Sequence, residues 1–220
     1  MTRRIKKVAI VGSGIMGSGI ACHFANIGVE VLLLDIVPRA LNDKEKAKGL
    51  TLESSIVRNR LVNEALMTSL KSKPSPIYSQ KFADRITTGN IEDDLHKIKE
   101  VDWVMEVVVE RLDIKQQVFE KIEKYRTPGT LITSNTSGIP IKFMNEGRSE
   151  DFQKNFAVTH FFNPPRYLKL FEVVPGPKCT QEVTDFLMMY GDKFLGKTTV
   201  LAKDTPAFIG NRIGIFGIMS

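Results

Sequence analysis

Several things that would fix the class of this 220-residue chain at once are scarce or missing. It has only two cysteines, Cys22 and Cys179, far apart and without metal-type spacing. A disulfide framework and a cysteine metal site are therefore excluded, and a reducing cytoplasmic setting is expected. No apolar run nears the roughly 20 residues of a membrane-spanning helix, so no membrane span is expected. Internal repeats and low-complexity tracts are missing, which excludes fibrous and disordered classes. The net charge of +6 is modest and dispersed; it gives no support to a nucleic-acid partner, and polyanionic small molecules fit it equally well. Arg3, Arg4, Lys6 and Lys7 imitate the charged start of a signal peptide, but Gly12, Gly14, Gly17, Gly19 and two serines break the apolar core such a segment needs.

What is present is an ordinary globular composition, with 42% hydrophobic and 25% charged residues, arranged as short apolar runs alternating with amphipathic stretches. That alternation predicts an α/β fold. Strands are expected at Val8–Val11, Val31–Leu34, Val104–Val109, Leu131–Thr133, Val158–Phe162 and Thr199–Leu201, with a short one at Ile86-Thr87 and a returning strand through Leu168–Val174. Their continuous apolar character suits a doubly wound, mostly parallel sheet covered by helices on both faces. Helices are expected over 15–27, 53–70, 112–125 and 181–194. The polar segment 38–100 reads as a helical insertion, its helix ended by Lys71-Ser72-Lys73-Pro74. Asp204-Thr205-Pro206 predicts a helix beginning near 205. The domain is thus expected to span 1–204, and the apolar tail from Ile213 to Met219 predicts a partner segment or a further domain beyond it.

Gly12-Ser13-Gly14-Ile15-Met16-Gly17 follows the first strand and opens a helix, the setting in which G-x-G-x-x-G binds a dinucleotide. The first glycine allows the turn, the second lets a pyrophosphate approach, and the third allows close packing, while the helix N-terminus offers amides to phosphate. Asp35 ends the second strand at the offset of an acid that binds a ribose 2′-hydroxyl, which selects NAD over NADP. Arg39 is the one residue that favours the 2′-phosphate, and Pro38 turns the chain before it.

His160 lies at a strand end before Phe161-Phe162-Asn163-Pro164-Pro165, and Glu172 is a lone acid in the returning apolar strand. That arrangement can place a carboxylate against an imidazole for acid/base chemistry. The plainer readings are a satisfied core histidine and an edge-strand glutamate facing solvent.

These residues resemble the NAD-binding portion of the 3-hydroxyacyl-CoA dehydrogenases. The resemblance rests on VAIVGSGIMGSGIA (8–21), VVVERLDIK (107–115), SNTSGI (134–139), HFFNPP with LFEVV (160–174) and KDTPAFIGNRIG (203–214). It implies a Rossmann-like domain and NAD-dependent oxidation of a (3S)-hydroxyacyl-CoA to the 3-ketoacyl-CoA in fatty-acid β-oxidation. His160 matches the general base and Glu172 its orienting acid; Ser137 and Asn211 match residues that hold substrate oxygens; Glu110, Lys115 and Asn163 match positions lining the cofactor. Arg58, Arg60, Lys71 and Lys73 are the basic candidates for the coenzyme-A phosphates. The plainer readings are a turn residue for Asn163, a solvated helix face for Lys115, a helix cap for Ser137, exposure alone for Asn211 and a solvated charge run for the four cations. The resemblance also implies a helical domain after the linker, a homodimer, and, in large bacterial members, a fused enoyl-CoA hydratase domain. Pro165-Arg166-Tyr167 departs from the smaller residues common in the family. Two other functions stay open at this point: a dehydrogenase of a free hydroxy acid, and a nucleotide-binding or interaction module without catalysis.

Overall fold

Val8 and Ile10 belong to one buried apolar cluster while Ala9 and Val11 belong to another, so the first strand is covered on both faces, as a central parallel strand must be. The computed structural model describes residues 3–219. In chain order its elements are β1 (Lys7–Val11), α1 (Ile15–Asn26), β2 (Glu30–Asp35), α2 (Asp43–Ala47), α3 (Ser55–Arg58), α4 (Arg60–Lys71), β3 (Ile86–Asn90), β4 (Trp103–Glu106), α5 (Leu112–Tyr125), β5 (Leu131–Ser134), α6 (Ile141–Asn145), α7 (Glu150–Lys154), β6 (Phe156–Phe161), β7 (Leu170–Pro175), α8 (Gln181–Lys193), β8 (Thr198–Leu201) and α9 (Gly210–Met219). The strands form one sheet in the order β3-β2-β1-β4-β5-β6-β7-β8. Neighbours are parallel except β6 and β7, which pair antiparallel. The order reverses between β1 and β4, which opens a crevice at their carboxyl ends, the usual ligand position in such sheets.

Aromatic side chains fill both layers. On one face Trp103 meets Phe24 at 5.4 Å and Tyr190 at 5.7 Å between ring centroids, both edge to face. Its indole N–H donates to Thr133 Oγ1 at 2.9 Å, so this buried polar edge is satisfied. On the other face Phe119, Phe152 and Phe156 make a mutual trio at 5.2–5.7 Å.

The expected doubly wound sheet is present, with corrections to single elements. The fourth strand stops at Glu106 instead of Val109, because the Glu106 carboxylate takes the Val108 N–H at 2.7 Å and turns the chain out of the ladder. The helix expected over 53–70 is two, α3 and α4, broken at Asn59, whose side-chain oxygen accepts from Asn90 Nδ2 at 2.9 Å. The final helix begins at Gly210 and not near 205: Ala207 and Phe208 take left-handed φ values of 62° and 48°, which a helix cannot contain. The short strand at Ile86-Thr87 runs on to Asn90 along β2.

Candidate functional site

The loop between β1 and α1 assigns a different task to each glycine. Gly12 has φ 107°, and a Cβ there would stand 2.5 Å from the Val107 carbonyl oxygen. A Cβ on Gly17 would lie within bonding distance of the Gly12 carbonyl, so close packing of helix on loop requires hydrogen there. A Cβ on Gly14 meets nothing within 4 Å; the space in front of it is open. The α1 N-terminus has no side-chain cap and no acid in its first turn, which leaves the first-turn amides of Ile15, Met16 and Gly17 to an anion. Asp35 is half-buried beside this loop. Its Oδ2 accepts from the Ser13 N–H at 2.8 Å and from the Ser13 hydroxyl, and its Oδ1 accepts from Ile36 N–H at 2.7 Å. Arg39 lies exposed beyond the buried Pro38. The free first-turn amides, the open space before Gly14 and the Asp35 carboxylate are groups of the kind a dinucleotide needs.

Beside β1, the end of β4 is built on a buried ion pair. Lys115 Nζ on α5 lies 2.8 Å from Glu106 Oε1 and 3.0 Å from Oε2. Ser134 Oγ on β5 donates to Glu106 Oε2 at 2.6 Å. Burial pushes the Glu106 carboxyl up, while the Lys115 charge and these donors oppose the rise. Lys115 is 1% exposed, so it neither lines an open cofactor face nor sits on a solvated helix face; its ammonium supports Glu110 from behind at 3.4 Å. Glu110 Oε1 accepts from Thr136 Oγ1 at 2.5 Å and Ser137 N–H at 2.9 Å. Partial burial would raise the Glu110 carboxyl, but these donors and Lys115 hold it below the usual carboxylate range. Ser137 caps no helix, since α6 begins only at Ile141.

His160 and Glu172 are direct partners across the β6–β7 pair, and the Nδ1–Oε2 distance is 2.6 Å. Glu172 is fully buried. Burial opposes its charge, but His160 and the N–H groups of Gly210 and Ile209 hold the carboxyl below its ordinary value. The edge-strand reading of Glu172 is thus excluded. Phe162 packs against the imidazole at 4.4 Å with its ring tilted by 53°, and Phe208 meets it edge to face at 5.8 Å. With Nδ1 engaged, Nε2 is the ring nitrogen left for a substrate. A cavity of about 330 Å³ brings His160 together with Ser137, Asn211, Asn163, Glu110 and Met16. Six expected site residues scattered over the sequence thus share one space.

A second cavity, of about 570 Å³, lies between the glycine loop, α4 and the Asn163-Pro164-Pro165 turn, with Leu61, Ala65 and Pro74 among its walls. Lys71 and Lys73 are exposed beside its lining residue Ser72. Arg58 and Arg60 are committed elsewhere: Arg58 forks onto Asp93 at 2.7 Å and Glu92 at 2.9 Å, and Arg60 pairs with Glu45 at 2.7 Å. These two arginines are removed from the phosphate-binding candidates.

Four further residues shape the site. Glu106 is the hub just described. Asn135 accepts the Phe161 N–H at 2.9 Å and so aligns β5 with the strand carrying His160. Phe162 packs at a tilt against His160. Lys197, buried, donates to the carbonyls of Pro165 and, at 2.7 Å, Leu168, fastening the turn after His160. Burial pulls its amine down to about 8, with Lys169 adding to the effect. Only Glu106 carries a local signal, an acid ending an apolar strand.

Fold and site define a Rossmann-like dinucleotide-binding domain with an acid/base pair at the carboxyl edge of its sheet. Residues 7–205 match the family model described as 3-hydroxyacyl-CoA dehydrogenase, NAD binding domain. The chain belongs to the 3-hydroxyacyl-CoA dehydrogenase family and carries its NAD-binding domain. A probable 3-hydroxyacyl-CoA dehydrogenase of Bacillus subtilis is 52% identical over 219 residues, covering 100% of this chain and 28% of that protein. A putative fatty acid oxidation complex trifunctional enzyme of Rickettsia felis is 40% identical over 216 residues, 98% of this chain and again 28% of the relative. Among solved structures, 3-hydroxybutyryl-CoA dehydrogenase from Escherichia coli K12 superposes with a TM-score of 0.71 at 30% identity, over 96% of this chain and 41% of that one. The chain therefore spans little more than a quarter of the length of the two curated relatives. No helix among the described residues is long and apolar enough to cross a membrane.

Proposed function

We propose that this domain oxidises the 3-hydroxyl of a (3S)-hydroxyacyl-CoA, or reduces the corresponding ketone, as part of fatty-acid oxidation. The observation that carries the reading is the His160–Glu172 pair opening into a cavity shared with Ser137 and Asn211, next to an NAD cradle. In the oxidative direction His160 takes the hydroxyl proton at Nε2, and Glu172 holds the imidazole with Nδ1–H toward it and stabilises the imidazolium. Ser137 and Asn211 donate to the substrate oxygen, and Glu110, Asn163, Met16 and the glycine loop hold the cofactor. NAD, when bound, supplies the hydride acceptor. Lys71 and Lys73 are the cations for the carrier's phosphates at the larger cavity.

The relatives' greater length, and the trifunctional name of one of them, support a further helical domain or a hydratase-type fusion around this one; a homodimer belongs to the same proposal. Two free thiols, Cys22 and Cys179, suit a cytoplasmic site. The test is turnover of acetoacetyl-CoA with NADH by the full-length protein. His160→Gln should lower kcat by about 10²–10⁴-fold, the usual contribution of acid/base catalysis, with NADH binding retained, and Glu172→Gln should act in the same direction. A loss below about tenfold for His160→Gln, where chemistry limits the rate, would assign the proton to another group. Equal turnover of free acetoacetate with NADH would remove the carrier from the substrate.

A further inference from the structure

The second oxygen of Glu172 has its own partners. While Oε2 faces His160, Oε1 accepts the backbone N–H of Ile209 at 2.9 Å and of Gly210 at 2.7 Å. These amides point inward because Ala207 and Phe208 are both left-handed, at φ 62° and 48°. Neither is glycine, so the conformation costs conformational energy at each, and such strain persists only where surroundings over-determine it. The surroundings are visible. Upstream, Asp204 Oδ2 accepts the Ile141 N–H at 2.9 Å and anchors the segment to α6. Phe208 is 2% exposed, with its ring against the edge of His160. Gly210 approaches so closely that a Cβ would stand 2.7 Å from Phe162 Cζ, in the ring that packs at a tilt against the same imidazole. Asn211, the next residue, lines the His160 cavity.

We propose that the Ala207–Gly210 turn is a positioning segment for catalysis: its two inward amides form a main-chain anion cradle that holds Glu172 ionised and aimed at His160, tying the entry to α9 directly to the acid/base pair. This rests on the dyad reading above and extends it to a segment that contributes no side-chain charge. Glu110 is the other ionisable group lining the cavity of His160, and its carboxylate is engaged by Thr136, Ser137 and Lys115. The direction of the effect follows from sharing one negative charge. Removing an amide concentrates the charge of Glu172 on His160, which favours the imidazolium. Replacing the carboxylate by an amide does the opposite.

The chain's three histidines make the experiment direct. The ring-nitrogen NMR signals of His160 are titrated in the wild type and in Ile209→Pro, which lacks the donating N–H. Ala207→Val, whose β-branch opposes a left-handed φ, is the second variant, and thermal melting checks that each is folded. Both variants are expected to raise the His160 midpoint relative to the wild type, Ile209→Pro the more because it removes a donor outright. Glu172→Gln should lower it, and Ala207→Gly, which keeps φ and the amides, should leave it in place. A merely structural role would change stability and not the midpoint. A folded Ile209→Pro or Ala207→Val protein with an unmoved His160 overturns the inference. The titration needs no turnover, so failure of the substrate assay and failure of this coupling are read separately.

Discussion

Lys115 Nζ lies 2.8 Å from Glu106 Oε1, with the two side chains 1% and 0% exposed. This pair joins α5, β4 and β5 beneath the cofactor cleft, and both partners depend on each other for compensation of their charge. Lys115→Met should cost about 3–5 kcal/mol, because it leaves a buried carboxylate unpaired. The double variant Glu106→Gln, Lys115→Met should recover much of that loss. Urea unfolding of the parent, the two single variants Glu106→Gln and Lys115→Met, and the double variant, compared as a cycle, measures the coupling; destabilisations that simply add would show that the pair is not a unit.

The glycines of the loop separate binding from folding. Gly14→Val projects into open space and should leave the melting temperature close to the parent's while abolishing measurable NADH fluorescence enhancement. Gly17→Ala drives its methyl onto the Gly12 carbonyl and should destabilise the domain itself. If Gly14→Val bound NADH normally, the pyrophosphate would have to lie elsewhere.

Asp35→Ala removes an acceptor for a ribose hydroxyl, a hydrogen bond to a charged group worth about 1.5–3 kcal/mol. Titration should show NADH affinity falling by at least tenfold while NADPH, freed from repulsion, loses less. Parallel losses for both would indicate that Asp35 acts only by holding Ser13.

His23 gives a pH dependence that can be assigned to one side chain. It is 5% exposed, its Nε2 meets the Leu195 carbonyl oxygen at 3.0 Å, and Nδ1 has no partner among the described residues. Burial, followed by the positive charge of Lys197, lowers its pKa from 6.5 to about 4. The unfolded chain therefore takes up a proton that the folded one refuses, so stability is complete above pH 6.5 and is lost as pH falls toward 4. The loss is about 3 kcal/mol by linkage. His23→Phe should remove this component, seen as a smaller difference between urea midpoints at pH 7 and pH 4; an unchanged difference would place the titration elsewhere.

Features with a local cause were readable in the amino-acid order. The amphipathic spacing of Val118, Phe119 and Ile122 marked α5 to its end residues, and the glycine spacing marked the nucleotide loop. The dyad was readable because a hairpin is short-range, so His160 and Glu172 meet across a single turn. Features decided by distant partners were not. The break at Asn59 answers to Asn90, and the fate of Arg58 and Arg60 was settled by Glu45, Glu92 and Asp93. Lys115 reads as a surface lysine until β4 places Glu106 under it. The delayed start of α9 has the same origin, since Ala207 and Phe208 have no intrinsic left-handed preference and adopt it around a carboxylate on β7.

The pairing of His160 with Glu172 is set by strand register, and register in an antiparallel pair admits no small errors, since a slip by one residue sends every side chain to the opposite face. The connection from Phe162 to Lys169 begins just beyond the imidazole and ends just before the strand that carries the acid. It can be rewritten, as Arg166 and Tyr167 already show, without moving either reacting group. Arg166 reaches the carbonyls of Ser75 and Ile77 and stacks 3.9 Å over Tyr78, joining this connection to the wall of the larger cavity. The hairpin therefore separates two parts, the imidazole–carboxylate pair fixed on its rails and a tip, joined to the wall of the larger cavity, that varies independently of them. Exchange of residues 164–168 between relatives should move substrate preference while preserving the acid/base step.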